Sequence, residues 1–487
     1  MRILLASSEV HPYSKTGGLA DMVGSLAKAL ARSGHRVGLV TPLYAGVRKQ
    51  PLELRKLEFP LELPLGDIRV AGEVWVHQPT AELSIYFVSQ PTLYDRPGIY
   101  QDEGRDYPDN AERFIFFSKA AAHLALHLPW APEVFHAHDW QASPATLLLH
   151  DHRQLRGQGA TPATCLTFHN LAYQGVFPAD KYSLLNLPRD YFSPAGLEFY
   201  GQMSCLKAGI TYSDVLTTVS PRYAREITTP EMGCGLDGLL RQRRLALIGI
   251  LNGVDYELWN PISDAYLVKT FSSQDLSGKA VNKAALQEEF RLPINPRVPL
   301  FGNVGRLTEQ KGVDIMLGAL EEMLSADLQF VAVGSGDPAL QQAYRDLARR
   351  YPQKVGTVIG FDEALSHRIE AGSDFFLMPS RFEPCGLNQM YGLRYGTIPI
   401  VRATGGLDDT VIDIRESLQE ANGIKFDEYS AAALAKGIRK ALALFADQPL
   451  LGQFRKNAMH ADFSWERTTG DYLKVYEMAA AKLRNEP

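Results

Sequence analysis

The stretch Pro379-Ser380-Arg381-Phe382-Glu383-Pro384-Cys385-Gly386-Leu387 lies between an apolar run, Phe375 to Met378, and a helix-like run, Leu387 to Tyr395. A buried strand feeding a turn that opens a helix puts the turn at the carboxyl edge of a sheet, where open α/β folds bind ligands. The helix start adds unpaired N–H groups and a partial positive charge. Glu383 carries a carboxylate into that mouth. Each carboxylate oxygen accepts more than one hydrogen bond, which suits sugar hydroxyls.

Working outward, the second half of the chain repeats the strand-to-helix pattern. Leu300 to Val304 is an apolar strand followed by Gly305-Arg306-Leu307, and Lys311-Gly312 precedes a helix. Two cations and a glycine on one such loop suit a diphosphate, with arginine gripping it through two parallel hydrogen bonds; the plainer alternative is a solvated basic turn. Strands at Phe330 to Gly334, Val355 to Ile359, Phe375 to Met378 and Ile398 to Val401 alternate with helices, which predicts a doubly wound domain. Gly360-Phe361 follows one strand and could hold a base. Thr404-Gly405-Gly406-Leu407 follows another and is expected to offer backbone amides to a phosphate. Trp465 to Leu483 reads as an amphipathic helix with Tyr472, Val475, Tyr476 and Met478 on its apolar side.

The first half has the same grammar. A short apolar strand, Arg2 to Ser7, precedes Lys15-Thr16-Gly17-Gly18-Leu19-Ala20-Asp21. Leu19, Met22, Val23, Leu26 and Leu30 then recur at helical spacing, and His35 to Thr41 is the next strand. Gly17 and Gly18 let backbone approach a ligand, the helix start favours an anion, and Lys15 adds a mobile cation. A tight turn with no ligand fits the same residues. Val134-Phe135-His136-Ala137-His138-Asp139-Trp140 and Thr164 to Phe168 with His169-Asn170 are strands ending in polar residues, which can converge on one crevice. A metal on His136, His138 and Asp139 would need a further ligand from elsewhere. His169 reads equally as a satisfied core histidine. Residues 50–107 read as short strands plus a surface loop in which Tyr94 and Tyr100 could stack on a base or sugar. Asn252-Gly253-Val254-Asp255 is a turn after a strand.

At 487 residues, two domains are expected. A net charge of -5 gives no sign of a nucleic-acid surface, and no apolar run is long enough to cross a membrane. The start reads as a strand rather than a signal segment, because Glu9 and His11 interrupt its apolar run. Four cysteines with no close pair argue against disulfides or zinc and for a reducing cytoplasm.

Together, Lys15-Thr16-Gly17-Gly18-Leu19-Ala20-Asp21, His138-Asp139-Trp140, His169-Asn170, Asn252-Gly253-Val254-Asp255, Gly305-Arg306 with Lys311-Gly312, and Glu383-Pro384-Cys385-Gly386-Leu387 resemble the bacterial glycogen synthase family, in order and spacing. The same motifs mark plant starch synthases. The resemblance covers nearly the whole chain. It implies a GT-B fold of two Rossmann-like domains facing across a cleft whose closure assembles the site. The expected division is 1–246 on the acceptor side, completed by a helix over 465–487, and 247–464 on the donor side.

The implied reaction transfers glucose from ADP-glucose to the non-reducing end of an α-1,4-glucan such as glycogen, with retention. Arg306 and Lys311 would stabilise the departing diphosphate, and Glu383 and His169 complete the catalytic set. Lys15, Gly17, Gly18, Asp21, Asp139, Asn252, Gly305, Phe361, Cys385, Gly386 and Leu387 would line the donor site. Cys385 would serve as a small packed residue, and Asp21 would either order the Lys15 loop or touch sugar. Retention by front-face attack needs no carboxylate nucleophile. The chain contains no Asp-x-Asp, so no metal or other cofactor is expected. The alternatives are another retaining GT-B enzyme using UDP-glucose, and a non-catalytic glucan-binding protein.

Overall fold

The computed structural model describes residues 1–157, 159 and 161–485. They divide into two units. The first takes in Met1–Val219, Ala224–Gly253 and the chain from Trp465 on; the second takes in Ser220–Tyr223 and Val254–Ser464.

The first unit is built on one nine-stranded sheet. Its order is Leu247–Gly249, Val215–Thr218, Ala163–Phe168, Val134–His138, Arg2–Ala6, Arg36–Pro42, Leu83–Ser89, Glu73–His77, Arg55–Lys56. The first seven pair in parallel, and the last two turn antiparallel. The parallel strands are near-continuous apolar runs because helices cover both faces. The chain starts in the middle, grows toward Leu83–Ser89, then returns to grow the other way from Val134–His138. The order therefore reverses between Arg2–Ala6 and Val134–His138, and a crevice opens beyond the carboxyl ends of those two strands. Helix Gly18–Arg32 buries Leu19, Met22, Val23, Leu26 and Leu30 on one face.

The final helix, Trp465–Asn485, packs beside the strands Val134–His138, Ala163–Phe168 and Val215–Thr218. Its buried stripe is Tyr472, Val475, Tyr476 and Ala479, at helical spacing. Met478, expected on that side, is exposed instead; one step from Ala479 on a helix is a turn of about 100°.

The second unit carries a six-stranded, all-parallel sheet. Its order is Val355–Ile359, Gln329–Gly334, Leu300–Val304, Phe375–Met378, Ile398–Arg402, Ile424–Phe426. Numbered along the chain, that is 3-2-1-4-5-6, the Rossmann arrangement, with its reversal between Leu300–Val304 and Phe375–Met378. One core layer gathers Phe301, Met316, Leu320, Phe330, Phe375 and Ile398. A second gathers Leu286, Val331, Ile369, Phe376 and Val401.

The division expected after residue 246 falls too early. Leu247–Gly249 pairs in parallel with Val215–Thr218, so the first unit keeps the chain through Gly253. Residues 220–223, expected in the first domain, group with the second: the Arg222 amide donates to Asp409 Oδ2 at 2.6 Å.

Candidate active site

In the first unit, the loop beyond Arg2–Ala6 is organised by Glu9. Its carboxylate is 3% exposed. It accepts from the Thr16 amide (2.5 Å) and hydroxyl (2.7 Å), the Gly17 amide (3.1 Å) and the Tyr100 hydroxyl (2.7 Å). The Gly17 amide, expected to face a ligand, is therefore already used. Lys15 and Gly18 are exposed, and Lys15 Nζ lies 2.9 Å from Asp21 Oδ2 in the first helical turn. Asp21 is thus the partner of Lys15 in this structure. Sequence reasoning missed Glu9, whose only signal was a carboxylate ending an apolar run. Tyr100 joins this cluster, whereas Tyr94 is fully buried with its hydroxyl donating to Arg113 O.

Across the sheet reversal lies Asp139, the first residue after Val134–His138. Its φ of 56° is the left-handed region, strained for a residue with a Cβ, and such strain gathers at functional sites. Its Oδ1 accepts from the His169 amide at 2.7 Å. Burial pushes its carboxyl up to about 7, against the pull of that hydrogen bond and with the help of the nearby Glu9 charge. A carboxyl held near neutrality in a crevice is a marker of function.

Three histidines stand behind it. His136 is held on both nitrogens, Nδ1 by Tyr476 OH of the final helix (2.8 Å) and Nε2 by Thr167 Oγ1 (2.6 Å), so neither can bind a metal in this arrangement. His138 packs against His136 with ring centroids 4.0 Å apart and planes tilted by 38°, and its Nδ1 is 3.2 Å from His169 Nε2. Burial pulls His136 and His169 down to about 3 and His138 well below its usual value, so all three are neutral at physiological pH. His169 is half-buried, at the mouth of this row. Among the described residues, no three His, Cys, Asp or Glu side chains gather closely enough to hold a metal ion.

In the second unit, the loops after Leu300–Val304 and Phe375–Met378 meet at the reversal. Gly312 sits at φ 70°, and a Cβ there would come within 2.1 Å of the Pro379 carbonyl, so the two loops pack backbone to backbone. Glu383 is 6% exposed, and its Oε2 accepts from Lys311 Nζ at 2.5 Å and Ser380 Oγ at 3.0 Å. Its Oε1 makes no hydrogen bond among the described residues. The exposed Arg306 guanidinium likewise has no hydrogen bond or ion pair there. The site thus combines an uncommitted cation, a cation already bridged to a carboxylate, and one uncommitted carboxylate oxygen. Gly305 lies between Val304 and Arg306. Cys385 is buried, a packed residue, and Gly386 and Leu387 open the helix Asn388–Arg394.

The Gly405-Gly406 pair does not supply the loose amides expected of it. The Gly406 amide donates to the carbonyls of Glu383 (3.1 Å) and Pro384 (3.2 Å). A Cβ on Gly406 would lie 2.1 Å from the Cys385 carbonyl oxygen. These glycines hold the Glu383 turn. Gln389, which sequence reasoning passed over, helps: its Nε2 donates to the Cys385 carbonyl at 3.0 Å. Phe361 stands apart on the loop after Val355–Ile359, 82% exposed. Asn252 is buried in the first unit, its Oδ1 without a partner among the described residues, rather than on the donor side.

Comparison with known proteins bears on the family and the fold. Residues 2–242 match the family described as the starch synthase catalytic domain, and residues 286–460 match glycosyl transferases group 1. The chain is 48% identical to the glycogen synthase of Thioalkalivibrio sulfidiphilus, over 98% of this chain and 99% of that one. It is 49% identical to that of Myxococcus xanthus, over 99% and 100%. Among solved structures, the catalytic domain of starch synthase IV from Arabidopsis thaliana, bound to ADP and acarbose, is 33% identical with a TM-score of 0.89, covering 99% of each chain. Sucrose-phosphate synthase from Thermosynechococcus elongatus, 20% identical, shares the fold with a TM-score of 0.61 over 99% of each chain. An identity near one half, sustained along the whole length, leaves one assignment: the chain belongs to the glycogen synthase family, and it is a glycosyltransferase of the GT-B fold.

Proposed function

We propose that the chain transfers glucose from ADP-glucose to the non-reducing end of an α-1,4-glucan, with retention, in a reducing cytoplasm. The observation that carries this reading is the uncommitted Arg306 on the same strand-to-helix loop as Lys311, which pairs with Glu383. Breaking the glucosyl–phosphate bond puts negative charge on the departing diphosphate. Arg306 and Lys311 stabilise that charge more in the transition state than in the ground state, which is what accelerates a reaction. Glu383 Oε1 accepts from a sugar hydroxyl. Lys15 and the Gly18 amide add positive potential at the phosphates, and Asp139 and His169 contact the transferred glucose. The backbone at Gly305, Gly386 and Leu387 completes the donor site, and Phe361 offers a face to the adenine. The acceptor hydroxyl attacks from the side the diphosphate leaves, and the phosphate takes its proton. The starch synthase relative described with ADP and acarbose supports this choice of donor and acceptor.

With Arg306 and Lys311 to neutralise the diphosphate, the reaction needs no divalent metal. Transfer of radiolabelled glucose to glycogen, from ADP-glucose and from UDP-glucose in parallel with EDTA present, is expected to proceed from ADP-glucose. Dominant transfer from UDP-glucose would overturn the donor. Activity abolished by EDTA and restored by magnesium would overturn the metal-free mechanism. No transfer from either donor would leave a glucan-binding protein.

A further inference from the structure

We infer that His138 is a positioning residue that holds His169 in its Nδ1-protonated tautomer, so that His169 meets the sugar as a neutral hydrogen-bond donor. The inference rests on the reading of His169 as a sugar contact. His138 is fully buried, with Nδ1 3.2 Å from His169 Nε2. Its Nε2 is buried and has no hydrogen-bond partner among the described residues. The adjacent His136 cannot supply one, since both its nitrogens are engaged by Tyr476 and Thr167.

One proton must lie between His138 Nδ1 and His169 Nε2. If His169 supplied it, neutral His138 would carry its own proton on Nε2, a buried N–H with no acceptor. Orphaned buried N–H groups are among the rarest features of folded proteins. If His138 supplies it, the orphan is only a bare lone pair. A doubly protonated ring would resolve the pairing but not the burial, which pulls both histidines far below their usual range. The proton therefore belongs to His138 Nδ1. His169 Nε2 accepts it, and the remaining proton of His169 is on Nδ1, which makes no hydrogen bond among the described residues. The His169 main chain is anchored separately, its amide on Asp139 Oδ1 at 2.7 Å. Ring and backbone are thus each fixed by one hydrogen bond, and the donor at Nδ1 is left for substrate.

The test is long-range proton–nitrogen correlation on the full chain labelled with ¹⁵N-histidine at neutral pH, with His169→Ala to assign the signal. A bare Nε2 and protonated Nδ1 on His169 is the expected pattern; a protonated Nε2, or an imidazolium, overturns the inference. Kinetics supply the second arm. His138→Leu removes the donor and lets His169 exchange tautomers. It is expected to lower kcat about tenfold while the KM for ADP-glucose stays within about twofold. His138→Asn, whose amide can donate from near the Nδ1 position, is expected to recover most of that loss. Equal losses in both variants would reduce His138 to packing. Full activity in His169→Ala would instead sink the sugar-contact reading and leave the tautomer assignment standing.

Discussion

At Asp139, a left-handed backbone and a suppressed charge coincide. The residue sits at φ 56° with its carboxyl pushed up to about 7, so folding favours the neutral acid. A folded pKa above the unfolded value of 3.8 gives a contribution that is whole below about pH 4 and is lost as pH rises through about 7. Asp139→Asn, which cannot ionise, is therefore expected to be more stable than the parent above about pH 7, with the advantage vanishing toward about pH 4. Denaturant midpoints of both proteins across that range check it; a difference independent of pH would mean the carboxyl does not titrate there. The histidine row runs the other way, since its lowered values withdraw stability as pH falls from about 6.5 toward about 3, but that row is common to both proteins and cancels. Arg306, Lys311 and Glu383 could be picked out of the sequence as candidates because strand-end position and charge are written locally. The strain at Asp139 was not, since φ is a property of the backbone path. Nor was Glu9, whose partners at 16, 17 and 100 are brought to it by folding.

Among the elements, alternating strands and helices were readable from apolar periodicity, whereas what one loop does to another was not. Gly405-Gly406 looked like an amide-rich loop awaiting phosphate, and it is instead the surface on which the Glu383–Cys385 backbone rests. In Gly406→Ala the new methyl would meet main-chain atoms, which cannot rotate away, so the Glu383 turn must move. A loss of about 1–3 kcal/mol in stability is expected from such overpacking. A displacement of a catalytic carboxylate by about 1 Å costs on the order of 10²-fold in rate, so glucosyl transfer should fall further than stability. Urea denaturation alongside the transfer assay separates the two, and a variant that is destabilised yet fully active would show that the glycines do not set the position of Glu383.

For the whole chain, the two Rossmann-like units were legible from repeated strand–loop–helix units. The strand order 3-2-1-4-5-6 and its reversals were not, because they depend on which strands become neighbours. The same holds for the boundary: Leu247–Gly249 is a short apolar edge that reads alike on either side of a division. Removing the chain from Trp465 on would uncover the places of Tyr472, Val475, Tyr476 and Ala479 and leave His136 Nδ1 without its partner. That truncation is expected to abolish the cooperative melting of the first unit while residues 254–464 still melt as one; two intact transitions would refute it. A segment of 211 residues, Val254–Ser464, is thus interposed between Gly253 and the closing helix of the same folding unit. During synthesis the ribosome delivers the second unit's strands before the helix that seals the first, so the first unit emerges with an open apolar flank and must wait. It could be made autonomous by grafting the helix directly behind Gly253, since Val254 and Ser464 already pair, a rewiring that shortens the wait to a single turn of chain.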